Sequence, residues 1–296
     1  MNLIVLYNFP RLSQAGRVRH IAKILQAGAE VAQKAPAPPV AALQMRGVQK
    51  SFGRRVIDGL DLQIRPGEFY ALLGANGAGK TTTLRMIAGL LAPDAGEILV
   101  SGIDVRRAPL LAKARMAWLP DEPLLYDRLT PLEYLEFVAG LWRLEPEVAR
   151  ARAEELLETL GLWAHRDERC EGFSRGMKQK TVLAGALIHE PELLILDEPL
   201  TGLDAAASRL VKSMLQARAE AGAAILLTTH ILDVAERLAT RIGILSGGAL
   251  LAEGTLAELS SAAAFAAGAS LEDVFLHITG AGAPAITGAA DRSVRV

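Results

Sequence analysis

The octapeptide Gly74-Ala75-Asn76-Gly77-Ala78-Gly79-Lys80-Thr81 constrains this chain more than any other stretch. It fits the pattern G-x-x-x-x-G-K-[ST], and its flanks give that pattern physical meaning. The apolar run Phe69-Tyr70-Ala71-Leu72-Leu73 before it has the length of a buried strand, and Thr82-Thr83-Leu84-Arg85-Met86-Ile87 after it continues as a helix. Strand, glycine loop and helix in that order make a phosphate cradle. Glycines let backbone N–H groups wrap phosphate oxygens, and the helix N-terminus adds partial positive charge. Lys80 reaches the β/γ-phosphates, and the Thr81 hydroxyl can ligate Mg²⁺. The loop alone does not say which nucleotide is used or what hydrolysis drives, because many functions share it.

The rest of the chain supplies a large core. Its 296 residues are 51% hydrophobic and 22% charged, as in ordinary folded proteins. A formal net charge of -1 gives no general drive toward nucleic acid, and none is expected as a partner. The single cysteine, Cys170, leaves no internal disulfide or multi-thiolate metal site, and reads as a small apolar residue. No apolar run approaches the roughly 18 residues that span a bilayer. The opening Met1-Asn2-Leu3-Ile4-Val5-Leu6-Tyr7 is too short for a secretory signal and lacks a basic leader. A cytosolic chain is expected.

Residues 1–40 have a different character. Val18, Ile21, Ile24, Leu25 and Val31 recur at helical spacing, with five cations against Glu30, before Pro36-Ala37-Pro38-Pro39. A basic amphipathic helix on anionic lipid is one reading, and a plain terminal extension is the favoured one. From Leu43 to Leu73 the pattern is β, with a turn at Gly53-Arg54-Arg55 and alternation through Leu60-Asp61-Leu62-Gln63-Ile64, so antiparallel strands precede the glycine loop. Ile98-Leu99-Val100 and Trp118-Leu119 are further apolar segments. From Thr130 to about Ile188 the pattern is helical: a capping box at Thr130-Pro131-Leu132-Glu133, a helix from Glu147 to Leu160 closed by Gly161, and a third starting near Arg175.

After the apolar run Leu193-Leu194-Ile195-Leu196-Asp197, helix and strand alternate. Ala205 to Glu220 reads as helix, Ala224 to Thr228 as strand, Asp233 to Ala239 as helix and Ile242 to Leu245 as strand. This alternation implies a mostly parallel sheet covered on both faces, with chemistry at the carboxyl ends of its strands. Thr81, Asp197 and Thr229-His230 fall at or just past such ends. In the tail, Leu271 to Leu276 fits one short amphipathic helix, and residues 280–296 read as disordered.

A nucleoside triphosphatase needs a second oxygen ligand on Mg²⁺ and a group that orients water. Asp197 suits the first role and Glu198 the second. With these residues in place, the chain resembles a nucleotide-binding subunit of the ATP-binding cassette (ABC) family, the ATPase half of membrane transporters, from about Leu43 to Gly254. The family's signature loop, usually Leu-Ser-Gly-Gly-Gln, corresponds to Phe173-Ser174-Arg175-Gly176-Met177. Walker B corresponds to Leu193–Asp197, the D-loop to Leu200-Thr201-Gly202-Leu203-Asp204, and the switch histidine to His230. The resemblance implies ATP and Mg²⁺ as cofactors. Phe52 would stack on adenine, and Gly74, Asn76, Gly77, Gly79, Lys80, Thr81 and Thr82 would hold the phosphates. Thr81 and Asp197 would ligate the metal, and Glu198 would act on water with His230. Ser174 and Gly176 would face the nucleotide of a second subunit.

Two positions depart from the family pattern. Asp121, in Leu119-Pro120-Asp121-Glu122-Pro123, stands where a glutamine that senses Mg²⁺ and the membrane partner is usual. A carboxylate binds Mg²⁺ more strongly but adds charge near the γ-phosphate, so Asp121 is a candidate for both catalysis and metal binding. Arg175 replaces a signature glycine, pointing either toward the opposing γ-phosphate or outward.

The resemblance implies a P-loop NTPase fold of the α/β class: a mostly parallel sheet with helices on both faces, an N-terminal antiparallel β subdomain and an inserted helical subdomain. The expected division is an extension and Pro/Ala linker over 1–42, a nucleotide-binding core over 43–123 and 191–260, a helical subdomain over 124–190, and a tail over 261–296. The expected partners are a second copy or a paralogous ATPase, sharing two ATP head to tail, and a separate integral-membrane permease. The expected location is the cytoplasmic face of the membrane. Glu122 to Tyr126 and Leu271 to Phe275 resemble subunits of exporters with separate permeases. The rivals are soluble ABC ATPases with regulatory, ribosomal or DNA roles.

Overall fold

The first hairpin shows how the sequence builds its strands. In the computed structural model, which describes residues 40–263 and 269–280, β1 (Leu43–Phe52) turns through Gly53 alone into β2 (Arg54–Ile64). The turn is tighter than the sequence suggests, because Gly53 takes φ +71° and lets Arg54 pair at once with Phe52. Leu60, Leu62 and Ile64 are buried while Asp61 and Gln63 are exposed, as alternation predicts for a sheet with one wet face. β4 (Ala95–Val100) adds to β1, and β5 (Ile103–Asp104) adds to β4. The order is β2-β1-β4-β5, antiparallel throughout.

The glycine loop leaves the second sheet. There β3 (Phe69–Leu73) lies between β8 (Ala224–Thr228) and β9 (Arg241–Ser246), followed outward from β8 by β7 (Leu193–Asp197) and β6 (Met116–Leu119). These five strands are parallel, and β10 (Ala249–Gly254) closes the far edge antiparallel to β9. Every residue of β3, β7 and β8 is buried, which explains their unbroken apolar runs: helices cover one face, and the antiparallel sheet together with the helix after the glycine loop covers the other. The covering helices are α1 (Lys80–Ile87), α2 (Pro109–Ala114), α6 (Ala205–Glu220), α7 (Leu232–Leu238), α8 (Leu256–Ala262) and α9 (Leu271–Thr279).

Between β6 and β7 stand α3 (Pro131–Leu141), α4 (Pro146–Thr159) and α5 (Arg175–Leu187), which pack on one another. Thr130 caps α3 as a complete box: its hydroxyl accepts from the Glu133 amide at 3.2 Å, and Glu133 accepts from the Thr130 amide at 2.9 Å. Such a cap contributes about 1 kcal/mol. Gly185 lets α5 approach α3, since a Cβ there would sit 2.6 Å from Tyr134 Cε1. One core joins these helices to a sheet face through Leu135, Leu157, Leu183, Leu196 and Leu227, while a second lies between the two sheets around Met45, Ile64, Leu72 and Ile195. Cys170 is buried, in keeping with a small apolar role.

The sequence reading passes over α2, β5, β10 and α8. The first two are short, and β10 is an edge strand whose burial does not alternate. α8 carries a visible signal, the capping box Thr255-Leu256-Ala257-Glu258, and both of its hydrogen bonds form. α9 runs one turn beyond the predicted tail helix. The expected basic helix and linker before residue 40, and the chain after Gly280, lie outside the described residues. Among the described residues no helix is long and apolar enough to cross a membrane.

Candidate active site

Parallel pairing puts the carboxyl ends of β3, β7 and β8 on one edge of the second sheet, with Asp197 directly opposite Thr228. The glycine loop leaves β3 at that edge. A Cβ on Gly74 would collide with the Leu245 carbonyl. Gly77 and Gly79 take φ +79° and +109°, and a Cβ on Gly79 would lie 2.5 Å from Ile57 Cδ1 and 3.1 Å from the Val56 carbonyl. Only glycine fits there, and the backbone that results has the exposed N–H groups of a phosphate cradle.

Lys80 opens α1 and arches back over the loop, donating from Nζ to the carbonyls of Gly74 (2.6 Å) and Ala75 (3.2 Å). Partial burial lowers its pKa below the usual lysine value, opposed by the Glu198 and Asp197 carboxylates. The Thr81 hydroxyl donates to Asp197 Oδ2 at 3.2 Å, and the Thr228 hydroxyl donates to Asp197 Oδ1 at 2.5 Å. Asp197, only 6% exposed, is thus held by both of its oxygens. Glu198 follows in the left-handed region at φ +49°, uncommon for a residue with a side chain, and its amide donates to the Thr228 carbonyl at 3.1 Å. The Glu198 carboxylate is turned toward His230, with Oε2 2.9 Å from Nδ1.

Lys80, Thr81, Asp197, Glu198 and His230 line one cleft of about 860 Å³, with Thr228 buried behind them. Of the residues singled out in the sequence, Phe52, Asn76, Gly77, Gly79, Lys80, Thr81, Thr82, Asp121, Asp197, Glu198 and His230 all reach its wall. Phe52 stands at 57% exposure with the Lys50 ammonium 5.4 Å from its ring centroid. Gly74 stays behind the wall as the Lys80 acceptor. Ser174 and Gly176 do not line the cleft. Ser174 caps α5 by accepting from the Met177 amide at 3.2 Å, and Gly176 abuts the Gly202 carbonyl. Arg175, between them, does reach the cleft, with Nη2 3.4 Å from Asp121 Oδ1.

Sequence reasoning missed two supports. Thr228 carried no more signal than any threonine at the end of an apolar run. Gln179 carried none: it is buried on α5, and its Nε2 donates to the Pro199 carbonyl at 3.4 Å, behind Glu198.

A glycine cradle with a lysine across it, an anchored aspartate and a glutamate held by a histidine can bind a nucleoside triphosphate and direct water at its terminal phosphate. Comparison with known proteins decides the family. The sequence model described as ABC transporter matches residues 57–201. The Nod factor export ATP-binding protein I of Paraburkholderia xenovorans (strain LB400) is 42% identical over 217 residues, covering 73% of this chain and 71% of that protein. This chain belongs to the ABC transporter family. It is an ABC ATPase subunit, binding ATP and hydrolysing it for transport. Among solved structures, an ATP-binding subunit of an ABC transporter superposes with a TM-score of 0.77 at 33% identity, covering 80% of this chain and 99% of that one. A dimeric ATP-binding cassette in a post-hydrolysis state, bound to ADP and Pi, gives 0.66 at 25% identity, covering 72% and 98%. The ABC ATPase described here thus has the family's α/β fold, with its N-terminal antiparallel sheet beside a mostly parallel one.

Proposed function

We propose that this ABC ATPase powers export through a separate integral-membrane permease, working at the cytoplasmic face of the membrane as half of an ATPase dimer. The observation that carries the permease is an apolar groove of about 310 Å³ beside the nucleotide cleft, lined by Leu124, Tyr126, Phe137, Leu141, Trp142 and other residues. Leu124 is 60% exposed, and Tyr126 and Phe137 meet edge to face at 5.6 Å. An apolar patch of this kind fits a helix of a partner. Trp118 and Leu124 line both groove and cleft, so a partner seated in the groove would bear on the nucleotide site. The export relative supports the direction, as do the stretches that resemble exporter subunits.

Dimerisation is supported by the position of Ser174 and Gly176 outside their own cleft, where they would serve the nucleotide of a second copy, and by the dimeric solved relative. In this reading Phe52 stacks on adenine, Lys80 and the glycine loop hold the phosphates, and Glu198, oriented by His230, positions and activates the attacking water. Thr81 and Asp197 offer paired hard oxygens that suit Mg²⁺, which when bound would offset phosphate charge. Asp121 serves coupling to the partner. The subdomain limits anticipated from the sequence, 43–123 with 191–260 around 124–190, are kept in this reading.

The test is purification of the tagged chain from detergent-solubilised membranes. A polytopic membrane protein should accompany the parent and be lost from a Leu124→Asp/Phe137→Asp variant that still binds ATP. Equal recovery of that protein by parent and variant would refute the groove as the docking site, and its absence from the parent would refute the permease.

A further inference from the structure

The two positions at which this chain leaves the family pattern touch each other. Asp121 lies on the loop after β6 and Arg175 is the first residue of α5, 54 positions apart in sequence, yet Arg175 Nη2 is 3.4 Å from Asp121 Oδ1. The Arg175 guanidinium and the Asp121 carboxylate form a pair of opposite charges at the cleft wall. The stem of Arg175 does a second thing. It covers Gly202, where a Cβ would sit 2.9 Å from Arg175 Cδ and 3.1 Å from Cγ. Gly202 takes φ +81° on the turn between Glu198 and the cap of α6, Asp204. One side chain therefore bridges the loop after β6 and the turn after Glu198, from the residue next to Ser174.

A second ion pair repeats the link one helical turn on. Lys178 Nζ donates to Asp127 Oδ1 at 2.9 Å, and Arg175 and Lys178, three residues apart, share a face of α5. The segment from Asp121 to Asp127 is thus fastened twice to the helix that carries Ser174.

We propose that Arg175 is a positioning residue for ATP hydrolysis: by pairing with Asp121 and covering Gly202, it makes the cleft wall and the start of α5 move as one unit. Its side chain is thereby directed at its own subunit, not at the nucleotide of a second copy. This rests on the dimeric reading above, in which Ser174 serves the opposite site. Both partners are about half exposed, so the pair is modest and open to screening by salt.

The experiment compares the parent with Arg175→Gln, Arg175→Lys, Asp121→Arg, Arg175→Asp and the charge swap Asp121→Arg/Arg175→Asp. ATP affinity is read by equilibrium binding, hydrolysis by phosphate release, and folding by the thermal midpoint. Arg175→Gln should lower kcat about threefold with ATP affinity within about twofold, and Arg175→Lys should retain most of the rate. In 1 M salt the parent should fall toward the Gln variant. The swap should recover at least half of the rate lost by the two reversed-charge singles. Additive losses in the swap, a loss indifferent to salt, or ATP affinity falling in step with kcat would overturn the proposal. A Glu198→Gln control that stays monomeric with ATP overturns the dimeric reading instead, and this inference with it.

Discussion

Replacing Thr228 by valine tests the anchoring of Asp197 directly. Thr228 is fully buried, and its hydroxyl donates to Asp197 Oδ1 at 2.5 Å from the adjacent strand. Valine keeps the shape and removes the donor. A hydrogen bond to a charged acceptor contributes about 1.5–3 kcal/mol, and the methyl that replaces the hydroxyl returns about 0.8 kcal/mol by burial. The net loss should be about 1–2 kcal/mol, which lowers the thermal midpoint by about 2–8 °C. Asp197 would then be held only through Thr81 at 3.2 Å, and its carboxylate would turn more freely. The Mg²⁺ concentration for half-maximal hydrolysis should rise up to about tenfold, since 1.4 kcal/mol is a factor of ten. Calorimetry and a Mg²⁺ titration of phosphate release check the two effects, with Thr228→Ser as a control that restores both. If the valine variant matched the parent in midpoint and in Mg²⁺ requirement, the buried Thr228 hydroxyl would not be what positions Asp197.

Three further perturbations probe other parts of the site. Glu198→Gln should bind ATP like the parent, lose about 10²-fold or more in kcat, and accumulate as a dimer under ATP in size-exclusion chromatography. Parent-like turnover would remove Glu198 from the chemistry. Gly79→Ala places a side chain at φ +109° against Ile57 Cδ1, and should abolish ATP binding measured by equilibrium dialysis while leaving the far-ultraviolet circular dichroism helical. His189 is stacked on Trp142 at 4.2 Å, and burial lowers its pKa from 6.5 to about 4, opposed by a hydrogen bond to the Met116 carbonyl. Between those values the unfolded chain binds a proton that the folded chain does not. Stability should therefore fall as pH drops from 6.5 to 4, by up to about 1.4 kcal/mol per unit, and level off below. His189→Phe, which keeps the stack, should flatten that part of the pH–stability curve in urea unfolding, and an unchanged slope would assign it to other groups.

Much of this was open to a reader of the sequence, for local reasons. The octapeptide at Gly74 announces its loop because its pattern is contiguous and Gly77 and Gly79 meet local demands for positive φ, although Gly74 answers to the distant Leu245 carbonyl. Leu193 to Asp197 reads as a covered parallel strand because burial on both faces leaves an unbroken apolar run, and Thr130-Pro131-Leu132-Glu133 reads as a helix start because the cap closes within one turn. Motif order then implied the family. Long-range partners left no such mark. Nothing along the chain distinguishes Thr228 from any other strand-end threonine until parallel register sets it opposite Asp197. Gln179 looks like a surface residue of a helix until α5 turns it inward toward Pro199.

Asp121 and Arg175 draw that line most sharply. By itself the sequence determined the glycine loop after an apolar strand, the Asp197-Glu198 step at the end of another, the strand–helix alternation and the presence of two unusual residues, because each is written in a window of a few positions. Only the tertiary structure decided that the unusual aspartate and the unusual arginine face each other. Their meeting depends on the path of the chain through α3 and α4 between them, and opposite charges reveal a partnership only once folding has brought them within reach.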